Sequence, residues 1–359
     1  MSSIRPFTRA ARRALTLPEI LVVIAIIMLL LSILLPDFRR AREQAKAVKC
    51  AGTFHTFGTG LAVYAAEDNE WIPGRNTSGA EIWRAQVESM DFIDDMRMSR
   101  PGLPVQTYDW MTPILRTTTE LPANRAERFR VLLDYYRCPS VKQLAVLYSH
   151  ARPRDQDIFR DNIAEFGPFP AISYLMPVHF QYWGHDEPEQ DIDCYVGSNF
   201  TTSFPVGRSP FPFTPYEWEV RVLRYKSKVS QVGPPAAKIA VADGTRYLPR
   251  ICFLDFDHSA VPEPDYFGSF ASAGGWWRGS IAYGDDQRIH PNNSGGKNIP
   301  LSFRHYDGLE ALFFDGHAER LSRKQARRVD YWYPRGGEVV KADEGYTDWR
   351  EYANGYIIP

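Results

Sequence analysis

Three residues near the C-terminal end carry side chains that can do chemistry at short spacing: His305, Asp315 and His317, within RHYDGLEALFFDGHAERL. Two imidazoles and a carboxylate could ligate zinc or iron, or act as an acid–base pair. Turn chemistry explains the same residues without a ligand. Asp315-Gly316 lies between two β-rich runs, where Asp-Gly is a strong hairpin signal, and His305 needs only a nearby backbone partner. That plainer assignment is the expectation, with no metal, no catalytic residue and no enzymatic activity. No Ser/His/Asp elbow, phosphate-cradling glycine loop or Cys-x-x-Cys motif occurs in the chain.

Two acidic pieces could hold Ca2+ through clustered oxygens: Asp186–Asp193 (DEPEQDID) and the pair Asp255 and Asp257. Neither has the spacing of an EF-hand loop. They read as solvated acidic loops, so no cofactor is assigned and Ca2+ in a head loop is the alternative.

The element that must position everything else is the N-terminal apolar run Leu15–Leu35, LTLPEILVVIAIIMLLLSILL. A helix needs about 20 apolar residues to cross the hydrocarbon layer, and this run has that length. Its one carboxylate, Glu19, would be costly at membrane depth, which marks it as functional. The basic leader MSSIRPFTRAARRA precedes the run. A cleaved signal peptide would have a shorter apolar core and a small-residue cleavage site after it, whereas LLPDFRRAREQAKAVKC follows here. An uncleaved anchor stays open. Arginines 5, 9, 12 and 13 precede the run and Arg39, Arg40, Arg42, Lys46 and Lys49 follow it, so charge alone leaves orientation open.

From Phe38 to Ala66 the spacing predicts a continuation of the same helix. Ala47, Cys50, Phe54, Phe57, Leu61 and Tyr64 fall on one face, while Arg40, Lys46 and Lys49 fall on the other. Gly52, Gly58 and Gly60 lower helix propensity, so packing must supply the stability. At 1.5 Å per residue, Leu17–Ala66 would span about 75 Å, with Pro36 as the place to bend.

Ala14-Leu15-Thr16-Leu17-Pro18-Glu19 resembles the processing site of type IV prepilins and of the pseudopilins of type II secretion. The resemblance implies cleavage before Leu15, methylation of its amine, and an assembly role for Glu19, fifth after the cut, paired with the amine of Leu15 in its own or a neighbouring subunit. Pro36, twenty-second after the cut, stands where the family commonly has a helix-bending proline. Ala14 occupies a position that is nearly always glycine there, and Pro18 precedes the glutamate. A second likeness links Cys50–Pro73 and the His305-x9-Asp315-Gly316 spacing to a large group of bacterial pseudopilin-like proteins. FRVLLDYYRCPS (Phe129–Ser140) and AISYLMP (Ala171–Pro177) are similar to that group's internal landmarks. Some secretion pseudopilins hold Ca2+ in a head loop, which lends the acidic pieces some support.

The expected fold is α+β and pilin-like: a long N-terminal transmembrane and amphipathic helix packed against an antiparallel β-sheet head with a long irregular insertion. The divisions are a leader (1–14, cleaved), the transmembrane half of the helix (15–36), its amphipathic half (37–68), a loop-rich variable region (69–232), a β-rich region (233–330) and an aromatic tail (331–359) lying over the head. In the β-rich region, Lys238–Ala242, Asp243-Gly244 and Thr245–Leu248 read as one hairpin. Glu310–Phe314, Asp315-Gly316 and His317–Leu321 read as another, both turns needing positive φ at their two central residues. Val131–Tyr136 and Val141–Tyr148 read as short strands or helical turns.

In an exported head the four cysteines allow three full pairings. Cys50 on the packed helix face with Cys138 after an apolar run is the favoured disulfide, worth up to about 4 kcal/mol for so long a loop. Cys194–Cys252 is the second, and four unpaired buried thiols are the alternative.

The formal charge of −1 includes the four leader arginines, so the chain without residues 1–14 carries −5. No basic excess asks for nucleic acid. The functional expectation is a structural subunit of a type II secretion or type IV pilus-like filament. Its partners would be the prepilin peptidase/methyltransferase, other pilin-like subunits and inner-membrane lipid. It would sit in a bacterial inner membrane with the head in the periplasm or on the cell surface. The alternative is an uncleaved, membrane-anchored envelope protein whose head binds or hydrolyses a ligand such as a glycan, with His305, Asp315 and His317 as its site.

Overall fold

The computed structural model describes residues 16–80, 82, 102–144, 156–181, 192–195, 201–204, 220–222, 224–248, 253–254, 256, 258–260, 268–272, 274–275, 283, 302–339 and 352–359. The chain forms two compact units, residues 1–45 and 46–359. The division falls inside the first helix, α1 (Leu17–Glu67), whose helical run continues through Pro36.

In the first unit α1 is apolar all round from Ile20 to Leu35 except for Ser32. An 18-residue window has a mean hydropathy of 2.9 and none of it is buried. The hydroxyl of Ser32 in this stretch bonds back to the Leu29 carbonyl at 2.7 Å, so no polar group there asks for water. The helix begins with Thr16 outside it and Glu19 in its first turn. Both the backbone N–H and the hydroxyl of Thr16 donate to Glu19 Oε2, each at 2.8 Å. This is one half of a Thr-x-x-Glu capping box, and it satisfies a donor that the helix leaves open.

In the second unit the expected stripe is the core-facing one. Cys50, Phe54, Phe57, Leu61 and Tyr64 are buried, and Ala47 is half-buried. Phe57 packs edge-on against Trp110 at 5.0 Å, and Phe54 and Phe57 both pack edge-on against Tyr174. Close approach explains one helical glycine. A Cβ on Gly60 would lie 2.3 Å from the carbonyl oxygen of Ile114, in the short helix α2 (Met111–Leu115), whereas a Cβ on Gly52 would meet nothing within 4 Å. Gly52→Ala is therefore expected to stabilise the protein by about 0.5–1 kcal/mol through propensity alone. Gly60→Ala is expected to destabilise it by about 1–3 kcal/mol, because backbone must move apart. Urea unfolding of the two variants checks the opposite signs.

Two further helices follow. α3 (Arg125–Tyr135) starts at Asn124, whose side chain accepts from the N–H groups of Ala126 and Glu127. α4 (Gln156–Phe166) buries Phe159, which packs edge-on against Phe129 of α3 at 6.0 Å. Val131–Tyr136, read from sequence as strand or helical turn, is thus the end of α3 and its cap.

The strands are β1 (Tyr174–Pro177), β2 (Ile192–Tyr195), β3 (Thr201–Phe204), β4 (Val220–Arg221), β5 (Ile239–Asp243), β6 (Tyr247–Leu248), β7 (Phe253–Leu254), β8 (Ala271–Ser272), β9 (Leu309–Phe313), β10 (Ala318–Leu321) and β11 (Glu338–Val339), with a one-turn helix α5 (Arg323–Ala326) after β10. The main sheet has the order β10-β9-β5-β1-β8. It is antiparallel except at β1–β8, where Met176 and Ala271 pair in parallel, so the sheet is mixed rather than the expected purely antiparallel one. β1, β5 and β9 are buried at every position. Alternation along β1 shows why: Tyr174 faces the rings of α1, while Leu175 lies on the side of Tyr283, whose hydroxyl donates to the Leu175 carbonyl. Tyr283 in turn packs on Trp332 at 4.7 Å.

Three expectations change here. Asp243-Gly244 is not a hairpin turn. Asp243 is the last residue of β5, paired with Tyr174 of β1, and Gly244 N–H donates to the Ser173 carbonyl. β6 pairs instead with β7. The dipeptide lost to tertiary context, because β5 is a central strand with neighbours on both sides. Residues 69–232 are not a separable insertion, since they supply β1 at the middle of the sheet. The tail does not merely cover the head: Trp332, Tyr333 and Ile358 are core residues, and β11 pairs with β4.

The second Asp-Gly does make the expected hairpin, β9 to β10, with register Leu312 to Ala318 and Leu309 to Leu321. Its turn is of another kind. Phe313 and His317 close a three-residue loop, and only Gly316 has positive φ, at 92°. That is a loop with one left-handed residue, where glycine carries no Cβ penalty.

Candidate functional site

His305 does not join Asp315 and His317. It sits in a tight turn, His305–Gly308, in which Gly308 N–H donates to the His305 carbonyl at 3.0 Å. Tyr306 and Asp307 have φ of 52° and 62°, the signs of a type I′ turn. For non-glycine residues this conformation is costly and has to be held by its surroundings. Arg323 at the start of α5 does so, with its guanidinium forked on the Asp307 carboxylate, which that bond holds below its ordinary pKa. The turn delivers the His305 imidazole, wholly buried, into the core.

There it meets two sulfurs. Cys50 comes from the buried face of α1, and Cys138 from the Cys-Pro turn after α3, where Val141 N–H closes on the Cys138 carbonyl. His305 Nε2 is 3.2 Å from each sulfur. The three ligand-type atoms lie within 4.8 Å of one another, the one such group of three among the described residues. Cys50 and Cys138, expected as a disulfide, are adjacent free thiols in the structure.

The electrostatics of the pair are asymmetric. The hydrogen bond from Cys50, with His305 and the Arg304 charge, pulls the Cys138 thiol far down despite its burial. The same bond and burial push the Cys50 thiol far up. Burial, and then the charge on the two sulfurs, raise the nearby Tyr174 phenol. Arg304 is itself fixed: it forms a buried ion pair with Asp243 and donates to the Thr245 hydroxyl at 2.9 Å and the Ser173 carbonyl at 2.7 Å. Glu310, on β9, is also close enough to sense His305 and Cys138, and burial raises its carboxyl.

Asp315 and His317 stay together on the exposed β9–β10 turn. His317 Nδ1 is 2.5 Å from Asp315 Oδ1, and the His317 backbone N–H donates to the same oxygen at 3.1 Å. Burial pushes the Asp315 carboxyl up, but the bonds from His317 outweigh it and hold it below its ordinary value. The His317 ring lies flat on Phe313, 4.3 Å between centres. The two residues close a turn, as expected, and the pairing with His305 that a hydrolytic or metal site would need is not formed.

Ala14 and Leu15, most of the Asp186–Asp193 piece, Asp255, Asp257 and Cys252 lie outside the described residues, and Cys194 stands in β2 opposite Thr202. The Cys50–Cys138–His305 group was missed as a triad because its members are 88 and 167 residues apart in the chain. A local signal did exist: His-Tyr-Asp-Gly at 305–308 is also an Asp-Gly phrase, and its turn points the histidine inward.

Comparison with protein-family models, with curated proteins and with solved structures finds no match for this chain.

Proposed function

We propose that this protein is a pilin-like structural subunit, held in the bacterial inner membrane by the first half of α1 and assembled through it into a type II secretion or type IV pilus-like filament. The observation that carries the reading is α1 itself. One helix is apolar and exposed over the length of a membrane span, then continues with a stripe that is the core of a globular head. A plain anchor needs no such continuity, whereas a subunit whose helix must both leave the bilayer and hold the head does. The processing-site likeness around Leu15 and Glu19 specifies cleavage before Leu15 by the prepilin peptidase, methylation, and packing against other pilin-like subunits.

Glu19 has two successive roles in this reading. Before assembly its carboxylate takes the Thr16 N–H and hydroxyl, which keeps a polar helix end satisfied. In a filament it faces the amine of Leu15, its own or a neighbour's, so that two desolvated charges offset each other. Glu19→Ala is expected to lower the sheared-filament fraction about tenfold, as the loss of about 1.4 kcal/mol per subunit contact would. Assembly at wild-type level would remove that role. The processing step is tested by intact mass of the membrane-extracted protein: loss of residues 1–14 with one methyl on Leu15 is expected, and a full-length, unmethylated chain would leave an uncleaved anchor instead.

A further inference from the structure

We propose that Cys50, Cys138 and His305 bind one thiophilic metal ion of closed d shell, Zn2+ or Cu+, which clamps α1 to the head. The inference concerns the head alone and stands whether or not the chain is cleaved or polymerises.

The first argument is the donor set. Two sulfurs and an imidazole nitrogen converge from three elements, and soft thiolate ligands with imidazole select zinc or cuprous copper over the hard cations that prefer oxygen. The second is distance. With Zn–S of about 2.3 Å and Zn–N of about 2.05 Å at a tetrahedral angle, sulfur and nitrogen should be about 3.5–3.6 Å apart. The two observed separations are both 3.2 Å, so about 0.4 Å of outward motion admits the ion.

The third is what the group cannot do without an ion. Both sulfurs lie 3.2 Å from Nε2, whose one lone pair or one N–H can engage a single sulfur fully, while the Cys50 thiol also bonds the Cys138 sulfur. Nδ1 of the same ring is buried with no hydrogen-bond partner, in the free protein and with an ion on Nε2 alike. A cation at the centre would use both sulfurs and Nε2 at once. Charge is compatible too. Arg304, whose charge is felt at the cluster, is paired with Asp243, and two thiolates around Zn2+ are neutral overall. Among the described residues, Glu310 on β9, the phenol of Tyr174 on β1 and the Ser140 N–H, which donates to the Cys138 sulfur at 3.4 Å, also face the cluster.

The geometry also says what such an ion would do. It would cross-link the amphipathic half of α1, the turn after α3 and the turn before β9, which are far apart in sequence. Three protein donors are one short of the four of a closed structural zinc site, so Zn2+ would need one further ligand while three-coordinate Cu+ would not; all three donors are buried, and the role of the ion would be to link the three elements.

The test uses full-length protein extracted in detergent under reducing conditions, with metal content measured by plasma mass spectrometry and free thiols counted after denaturation. About one equivalent of zinc or copper per chain is expected, and which metal is found identifies the ion. Cys138→Ser and His305→Ala should each cut that content at least about fivefold. Cys138→His, which keeps a ligand, should restore most of it. Co2+ exchanged into the protein should show a thiolate-to-cobalt charge-transfer band that Cys138→Ser abolishes. A strong chelator should lower the wild-type Tm by about 5 °C or more and leave the Tm of a folded Cys138→Ser variant unchanged. Should the serine variant fail to fold, the cobalt band in wild-type and Cys138→His protein decides alone. The proposal is overturned by metal-free protein that does not take up Zn2+ or Cu+, by metal content that survives Cys138→Ser, or by a Cys50–Cys138 disulfide in protein kept from air oxidation.

Discussion

Asp243→Ala is expected to lower the stability of the head by about 3–5 kcal/mol, the largest loss of any single polar substitution discussed for this fold. Asp243 and Arg304 are an ion pair with side chains only 1% and 2% exposed. Two charges taken out of water are expensive, and their mutual attraction offsets that cost only while both are present. Removing the carboxylate leaves the guanidinium without its buried counter-ion, and the Thr245 hydroxyl and Ser173 carbonyl that it also bonds are neutral. Arg304 cannot shed its proton to escape. The paired replacement Asp243→Leu with Arg304→Met should recover most of the loss, since removing both charges also removes both desolvation costs. Urea midpoints of the single and double variants measure this. A single-variant loss below about 1 kcal/mol would mean that water reaches the pair and screens it, as at exposed ion pairs.

Acidification is expected to unfold the head through His179, and His179→Leu to blunt that response. The imidazole is buried against Tyr333, 4.1 Å between ring centres, and neither nitrogen has a hydrogen-bond partner. Burial alone drives its pKa down to about 3 from an ordinary 6.5. The sign follows directly. Between pH 6.5 and 3 the unfolded chain binds a proton at this residue and the folded chain does not. Stability is therefore intact above pH 6.5 and falls as pH drops, by about 4 kcal/mol at pH 3 from this group. Leucine has nearly the volume of histidine, so it should cost little at pH 7 and leave one orphaned N–H fewer in the core. The measurement is urea unfolding of both proteins at several pH values between 7 and 3.5. Parallel curves would show that His179 is protonated or hydrated in the native state.

The local parts of this architecture were legible in the residues. The stripe from Cys50 to Tyr64 is a helix because apolar side chains recur at three and four, and it is buried as that spacing requires. The apolar run before it can only be a helix if it enters lipid. Asp315-Gly316 forms a hairpin because one left-handed residue is needed there and glycine supplies it. Where the same dipeptide failed, at Asp243-Gly244, the backbone already had partners on both sides of β5 and the carboxylate had Arg304. Local turn preference is worth tenths of a kcal/mol to about 1, and a central strand with a buried ion pair outweighs it.

What the amino-acid sequence determined by itself is whatever depends on neighbours within a helical turn or a hairpin. That includes the long helix, its apolar and amphipathic halves, and the β9–β10 turn. What only the tertiary structure decided is which distant groups meet. Cys50, Cys138 and His305 converge, β1 enters the middle of the sheet from a stretch with no clear pattern, and His305 parts from Asp315 and His317. The reason is that periodicity is carried by the spacing of residues along one element, whereas a meeting of three elements is set by the packing of their buried faces. No residue type in the sequence reports on that packing until the faces are in contact.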